Sequence, residues 1–203
     1  MALQAILPKL PLRMMGYLHH VGTLQAEKRS EYTYEGLAGL SVSEVPQAWQ
    51  RIARLGGDTH TLSNSQGCFI DHHAIPDDIW VDIYQWGCAA GYLLPHTYWA
   101  FEYYDDEMED TLRFCHVSRS EAETEAQGEH DIFAVDGFIG TDAFAQIVGE
   151  KQRCDASLIL TIVAEQAEHI DGVYWDDTLD VSCYSAPRAL ILNSRLPRWQ
   201  ITR

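Results

Sequence analysis

Gly16-Tyr17-Leu18-His19-His20-Val21-Gly22-Thr23 sets an apolar, strand-like lead directly ahead of a histidine, a glycine and a hydroxyl. The stretch reads as a strand whose end touches a ligand. His20 offers a ring nitrogen, Gly22 lets a ligand approach the backbone closely, and Thr23 adds a hydroxyl. A second stretch far downstream has the same character: in Asp171-Gly172-Val173-Tyr174-Trp175-Asp176-Asp177 a strand that reads as buried delivers an aromatic and two carboxylates. Two such strand ends, distant in sequence, predict a fold that gathers them at one cleft.

The chain has 203 residues, 46% hydrophobic and 11% aromatic, enough to bury a sizeable core in one domain. Lys9, Arg13, Pro8 and Pro11 interrupt the first fifteen residues, so no leader of secretory type is expected, and no run reaches the length of a membrane helix. Five cysteines (Cys68, Cys88, Cys115, Cys154, Cys183) without any C-x-x-C pair suit reduced thiols in a cytoplasmic protein, most of them small core residues. The net charge of −16 is uneven. Twelve acids against Arg113 and Arg119 give the stretch Glu102 to Asp136 a local charge of −10, whereas the last sixteen residues carry Arg188, Arg195, Arg198 and Arg203 and no acid. The acidic segment suits a basic partner and repels phosphate backbones; the arginine tail suits a phosphate. Both runs also fit a plain solvated surface.

In chain order, Gly36 to Ser43 alternates Leu40 and Val42 with Ser41 and Ser43, a short strand. Ser43 then caps a helix with Pro46 in its first turn and the stripe Val45, Trp49, Ile52 and Ala53. Strands are expected at 58–62, 67–71, 97–104 and 111–117, with 105–110 as the hairpin connection, and a helix from Pro76 to about Ala90. Ser118 to Glu129 reads as polar and mobile, and 141–148 as helical. Ser157 to Ala164 is a continuous β-branched and leucine run, expected to be a doubly covered strand beside the strands Gly172–Trp175 and Ala189–Leu192. The sum is an α+β domain of mixed, mainly antiparallel sheets with two or three helices.

Tyr17 to Thr23 resembles the first motif of the His-Tyr-Glu branch of ADP-ribosyltransferases, where a histidine on the first strand precedes a glycine and a Ser or Thr. Gly39-Leu40-Ser41-Val42-Ser43 is similar to that superfamily's second region, at the mouth of the NAD cleft, and Asp171 to Asp177 falls where the third motif, the catalytic acid on a late strand, belongs. The resemblance implies NAD as co-substrate. His20 would bond the adenosine ribose, Gly22 would clamp the nicotinamide amide and Thr23 would help fix the dinucleotide. Tyr32 or Tyr34 would cover the nicotinamide ring, with Ser41, Ser43 and Trp175 lining the cleft. Breaking the nicotinamide–ribose bond builds positive charge on the ribose, so a carboxylate beside the anomeric carbon stabilises the transition state. Asp176 is the first candidate and Asp177 the second. The family pattern expects glutamate, one methylene longer, and Glu165 and Glu102 are the alternatives. The implied activity is transfer of ADP-ribose to a macromolecular acceptor, a protein side chain before a nucleic acid, by a toxin- or effector-like enzyme.

Two other readings stand beside it. Asp71-His72-His73, with Asp77, Asp78, His96 and His116, holds the ligand types for zinc or manganese, although a loop before a helix explains these residues as well. The Glu102–Asp136 segment suits a non-enzymatic acidic or immunity protein that engages a basic partner. Trp175-Asp176-Asp177 equally fits a strand ending in a capped turn with Asp180 and Arg188 as surface partners.

Overall fold

The computed structural model describes residues 2–22, 24, 38–52, 58–106, 109–180 and 185–203. In chain order the described elements are α1 (Leu3–Ile6), β1 (Leu12–Met14), β2 (Tyr17–Val21), β3 (Gly39–Val42), α2 (Pro46–Ile52), β4 (Thr59–Ser63), β5 (Cys68–Asp71), α3 (Asp77–Ala89), β6 (Leu93–Asp105), β7 (Asp110–His116), α4 (Arg119–Ala126), β8 (Phe133–Gly140), α5 (Asp142–Val148), α6 (Ile159–Glu165), β9 (Gly172–Trp175), β10 (Arg188–Leu192) and β11 (Gln200–Thr202). The class is α+β. The described residues hold six α-helices, more than the two or three expected, because several are only one or two turns long and leave little periodicity to read.

Three sheets organise these elements. The central one has the order β1-β5-β9-β10-β3, with β5 and β9 parallel and every other pair antiparallel. A second sheet, β11-β4-β2, is joined to it where His19 of β2 bridges Ser43 just beyond β3. The third, β7-β6-β8, is built on the long strand β6.

Strand alternation explains the two cores. Val173 and Trp175 of β9, with Leu190 and Leu192 of β10, face Ile6, Ile79, Ile83, Phe144 and Val163 of the helices. The intervening residues Tyr174, Ala189 and Ile191 face the other way, onto Leu18 of β2, Leu62 of β4 and Trp199. The central sheet is thus covered by helices on one face and by the second sheet on the other. β9 and β10 are therefore apolar at successive positions, as the sequence indicated.

The run Ser157 to Ala164 is not a strand. A 3-10 turn at Ala156–Leu158 leads into α6, in which Ile159 to Ala164 are all buried. An uninterrupted apolar run fits a helix covered all round as well as it fits a central strand, and β-branching alone does not separate them. Local bonds favour the helix: Asp155 accepts the Ser157 N–H at 3.1 Å, and the Thr161 hydroxyl donates to the Leu158 carbonyl at 2.8 Å. It is β5, not this run, that pairs with β9, while α6 packs on the face of that strand.

Nor is 118–129 an irregular loop. Ser118 and Glu121 form a reciprocal capping box at the start of α4, and Ala122 and Ala126 are its buried residues, one turn apart. In the sheet beside this helix, Phe101 stacks on Phe114 and His116 at centroid distances of 5.4 and 5.8 Å. The strands at β1, β8 and β11 carry no strong period in sequence and were not expected. Of the described cysteines, Cys68 is buried and Cys88 is half-buried against the helix-side core, but Cys115 and Cys154 are exposed, so the reading of most thiols as core residues fits two of these four; Cys183 lies outside the described residues.

Candidate functional site

β3 and β9 are both antiparallel to β10, and β5 is parallel to β9, so the carboxyl ends of these three strands lie along one edge of the central sheet. That edge brings together Ser43-Glu44, Asp71-His72-His73 and Trp175-Asp176-Asp177. The metal-type cluster and the catalytic-acid cluster, read separately in sequence, are therefore neighbours.

The pleat splits the edge into two sides. On the side of the second sheet, the Tyr174 hydroxyl donates to Asp176 Oδ1 at 2.9 Å and lies 3.4 Å from Glu44 Oε2. Burial, and then the hydrogen bond to Asp176, push the Tyr174 phenol up, so it remains a protonated donor. The Arg13 guanidinium lies over the Tyr174 ring, 4.1 Å from its centroid. It faces Glu44 and Asp176 at 3.6 Å each and Asp71 at 3.9 Å. Three carboxylates around one cation leave this corner negative. Arg13 and Glu44 were not singled out in the sequence. Glu44 had a signal, being the acid that directly follows the second region; Arg13 had none, since only the pairing of β1 with β5 brings it here.

On the helix side, Asp177 Oδ2 accepts from Arg188 Nε at 2.9 Å, and its Oδ1 is 3.5 Å from His73 Nε2. Arg188 covers Trp175 at 4.5 Å, and Trp175 is itself buried in the helix-side core. The pairing of Asp177 with Arg188 agrees with the capped-turn reading for that carboxylate. His72 meets Trp80 edge-on at 5.2 Å, and its Nδ1 is buried without a hydrogen-bond partner. Burial, followed by the neighbouring His73, lowers the His72 pKa from 6.5 to about 4. Below pH 6.5 the unfolded chain binds a proton here that the folded chain refuses until about pH 4. Stability therefore falls as pH drops through that window. A His72→Gln variant is expected to show a shallower loss of thermal midpoint between those pH values than the parent; equal slopes would remove the assignment. Among the described residues no group of three or more His, Cys, Asp or Glu side chains is arranged to hold a metal ion.

The first strand approaches from the second sheet. The His19 and Ser43 backbones exchange both hydrogen bonds at 2.8 Å, which ties β2 to the end of β3. Beyond this bridge β2 runs antiparallel to β3, so Val21 and Gly22 recede from the carboxylate edge. His20 Nδ1 is 2.8 Å from the Ser41 carbonyl oxygen. A carbonyl only accepts, so Nδ1 carries the proton, and in the neutral ring Nε2 is the acceptor. Gly22 has φ of 121°, a conformation open to glycine, and its N–H donates to the Asp58 carbonyl at 3.1 Å.

Of the expected NAD contacts, His20 and Ser41 touch directly. Ser43 is buried and spends its hydroxyl on the backbone, donating to the Pro187 carbonyl at 2.6 Å and accepting the Val45 N–H at 3.0 Å; α2 begins at Pro46, so this is a turn ahead of the helix and not the cap expected of Ser43. Asp176 and His20 lie on strands separated by β3 and β10. Leu18 of β2 and Tyr174 of β9 nevertheless share one apolar cluster between the two sheets. Thr23, Tyr32 and Tyr34 lie outside the described residues.

The arginine tail is not a free basic patch. Arg188 pairs with Asp177, Arg203 with Asp58, and Arg198 donates to the Glu168 carbonyl. Arg195, 8% exposed, donates to the Ile170 and Glu165 carbonyls. Similarly, some of the acidic stretch is paired locally, Glu102 with Arg113 and Glu123 with Arg119. No helix among the described residues is long and apolar enough to cross a membrane. No protein-family model, no curated protein and no solved structure matches this chain, so the site stands on its geometry alone.

Proposed function

We propose that the chain is an NAD-consuming ADP-ribosyltransferase of toxin or effector type. The observation that carries this reading is the succession β2, β3, β10, β9: the three segments that bear the resemblance lie on strands of one connected array, with His20 bonded to Ser41 at 2.8 Å. His20, its Nδ1 bonded to the Ser41 carbonyl, is the residue that would meet the adenosine ribose, and Gly22 lets the dinucleotide approach the backbone. Asp176 supplies the negative charge for the oxocarbenium-like transition state, with Tyr174 fixing its orientation. Glu44, beside the same tyrosine, is a second carboxylate within reach and has the side-chain length that the family pattern expects. A protein acceptor is favoured, since the four tail arginines that suggested nucleic acid are engaged within the fold.

Incubation of the purified chain with NAD should release nicotinamide, and His20→Ala should reduce the rate by about tenfold or more, the loss of one positioned hydrogen-bonding group. No release above buffer by the parent chain sinks the reading. In a lysate with labelled NAD, label lost to protease and not to nuclease identifies a protein acceptor. A second reading, a non-enzymatic binder of a basic protein, is favoured by α4, which buries two alanines and leaves Glu121, Glu123 and Glu125 exposed. Nicotinamide release dependent on His20 decides between the two.

A further inference from the structure

Strand β8 forms one edge of the third sheet and is hydrogen-bonded to β6 alone. Bonds at its carboxyl end fix the side to which each residue turns its backbone. Thr141 N–H donates inward, to the Tyr92 carbonyl just ahead of β6, at 2.9 Å. Gly140 N–H donates outward, to the Arg153 carbonyl, at 2.7 Å, and the Gly140 carbonyl accepts from Arg153 Nε at 2.9 Å. Because successive residues of a strand alternate between the two sides, Ala134, Asp136 and Phe138 also turn their N–H and C=O groups away from β6. The Phe138 carbonyl accepts from the Tyr98 hydroxyl at 2.7 Å, so the carboxyl half of the edge is partly covered. The amino half is open: Ala134 and Asp136 are exposed, and among the described residues no backbone group outside β6 bonds to them.

Sheet edges are ordinarily guarded by brevity, proline or a cationic side chain. β1 and β11 are three residues long, and β7 carries Arg113. The eight residues of β8 include no proline and one charge, Asp136, whose carboxylate accepts from the Thr97 hydroxyl at 3.2 Å. Phe133, 37% exposed, and Val135 lie on one face beside the open groups. An edge of this kind takes an added strand, main-chain bonds giving affinity and alternate side chains giving choice. Charge selects the strand. Residues 120–150 contain eight Asp or Glu and no Lys or Arg, and Glu129, Asp131 and Asp136 stand on β8 or just ahead of it. Arg119 and Arg153, which flank the third sheet, are paired with Glu123 and with Glu150 and Asp142. A second copy of this chain, at net −16, would bring its own acids to the same edge. We propose that the open half of β8, Phe133 to Asp136, docks an extended lysine- or arginine-bearing segment of a partner protein as a further strand of the third sheet. The surface is on a different sheet from the carboxylate edge, and the proposal holds whether or not the chain consumes NAD.

The probe is a short blocked peptide of alternating lysine and valine, titrated into the isotope-labelled full chain while the amide resonances of Ala134 and Asp136 are followed. Both are expected to shift to saturation. The same peptide methylated on its backbone nitrogens keeps its charge but cannot donate to the edge, and should bind about tenfold or more weakly. Ala134→Pro removes an outward donor without touching a bond to β6, a place where an edge strand tolerates proline, and should cause a similar loss. If Ala134→Pro loses its circular dichroism signature, Asp136→Lys decides, again with a loss of about tenfold expected at low salt. Absence of shifts at millimolar peptide, equal binding of the methylated peptide, or parental affinity in the folded variant overturns the proposal. So does self-association of the parent chain that Ala134→Pro abolishes, since it gives the edge to a second copy.

Discussion

Gly172→Ala is expected to unfold the protein or to cost at least about 4 kcal/mol, the upper range for a single substitution. Gly172 pairs with Phe69 of β5 on one side and with Ile191 of β10 on the other, in the middle of the central sheet. A Cβ placed there would stand 1.7 Å from the Leu190 carbonyl oxygen and 2.8 Å from its carbon. Those are backbone atoms in a doubly paired ladder and cannot swing aside as the end of a side chain can. Relief requires parting β9 from β10, and with them the two cores that β9 separates. Gly91→Ala is the control: its φ of 79° disfavours alanine, but nothing lies within 4 Å of the new methyl, so the cost should be about 1 kcal/mol. Urea unfolding followed by circular dichroism measures both. A Gly172→Ala protein with a near-parental midpoint would mean that β9 and β10 are not paired in this register.

The two adjacent carboxylates should respond in opposite ways. Asp176→Asn is expected to slow nicotinamide release by about 10²–10³-fold, the usual effect of removing one preorganised electrostatic group. Its stability should change little, because the Asp176 side chain is 54% exposed and its contacts to Arg13 are 3.6 Å or longer. Asp177→Asn should instead destabilise by about 1–2 kcal/mol, since it removes the negative charge from the hydrogen bond to the half-buried Arg188. It should leave release within a few-fold of the parent. Thermal midpoints together with release rates separate the cases. A reversed result, with Asp177 controlling the rate, would move the catalytic acid to the helix side of the sheet; parental rates in both variants would remove this strand from the chemistry.

Short segments with a clear local signal were legible in the sequence. Pro46 marks the start of α2, and Ile79 and Ile83 one turn apart behind Asp77 and Asp78 mark α3. The alternation of β6 and the apolar runs of β9 and β10 mark strands. These features are set by residues within one turn or one pleat of each other, so their physics is contained in the sequence window. Where a window admits two solutions the sequence could not choose. Ile159 to Ala164 is apolar at every position, which suits any element covered all round, and only its surroundings made it a helix. Ser118 to Glu129 is polar, but a capping box and two alanines facing an aromatic sheet are enough to order it.

The candidate site divides along the same line. The residue types at His20, Gly22, Ser41 and Asp176 suggested polar strand ends, and the sequence by itself determined which segments carry them. Tertiary structure alone decided that Asp71 to His73 adjoins Asp176, because a parallel pairing of β5 with β9 joins residues about a hundred positions apart. It also decided that Asp177 is held by Arg188 while Asp176 faces Tyr174 and Glu44, since the pleat sends successive side chains to opposite faces. Arg13 and Glu44 owe their environment to strand order and register. Those depend on which apolar faces find each other across the whole chain, a property that no local run of residues contains.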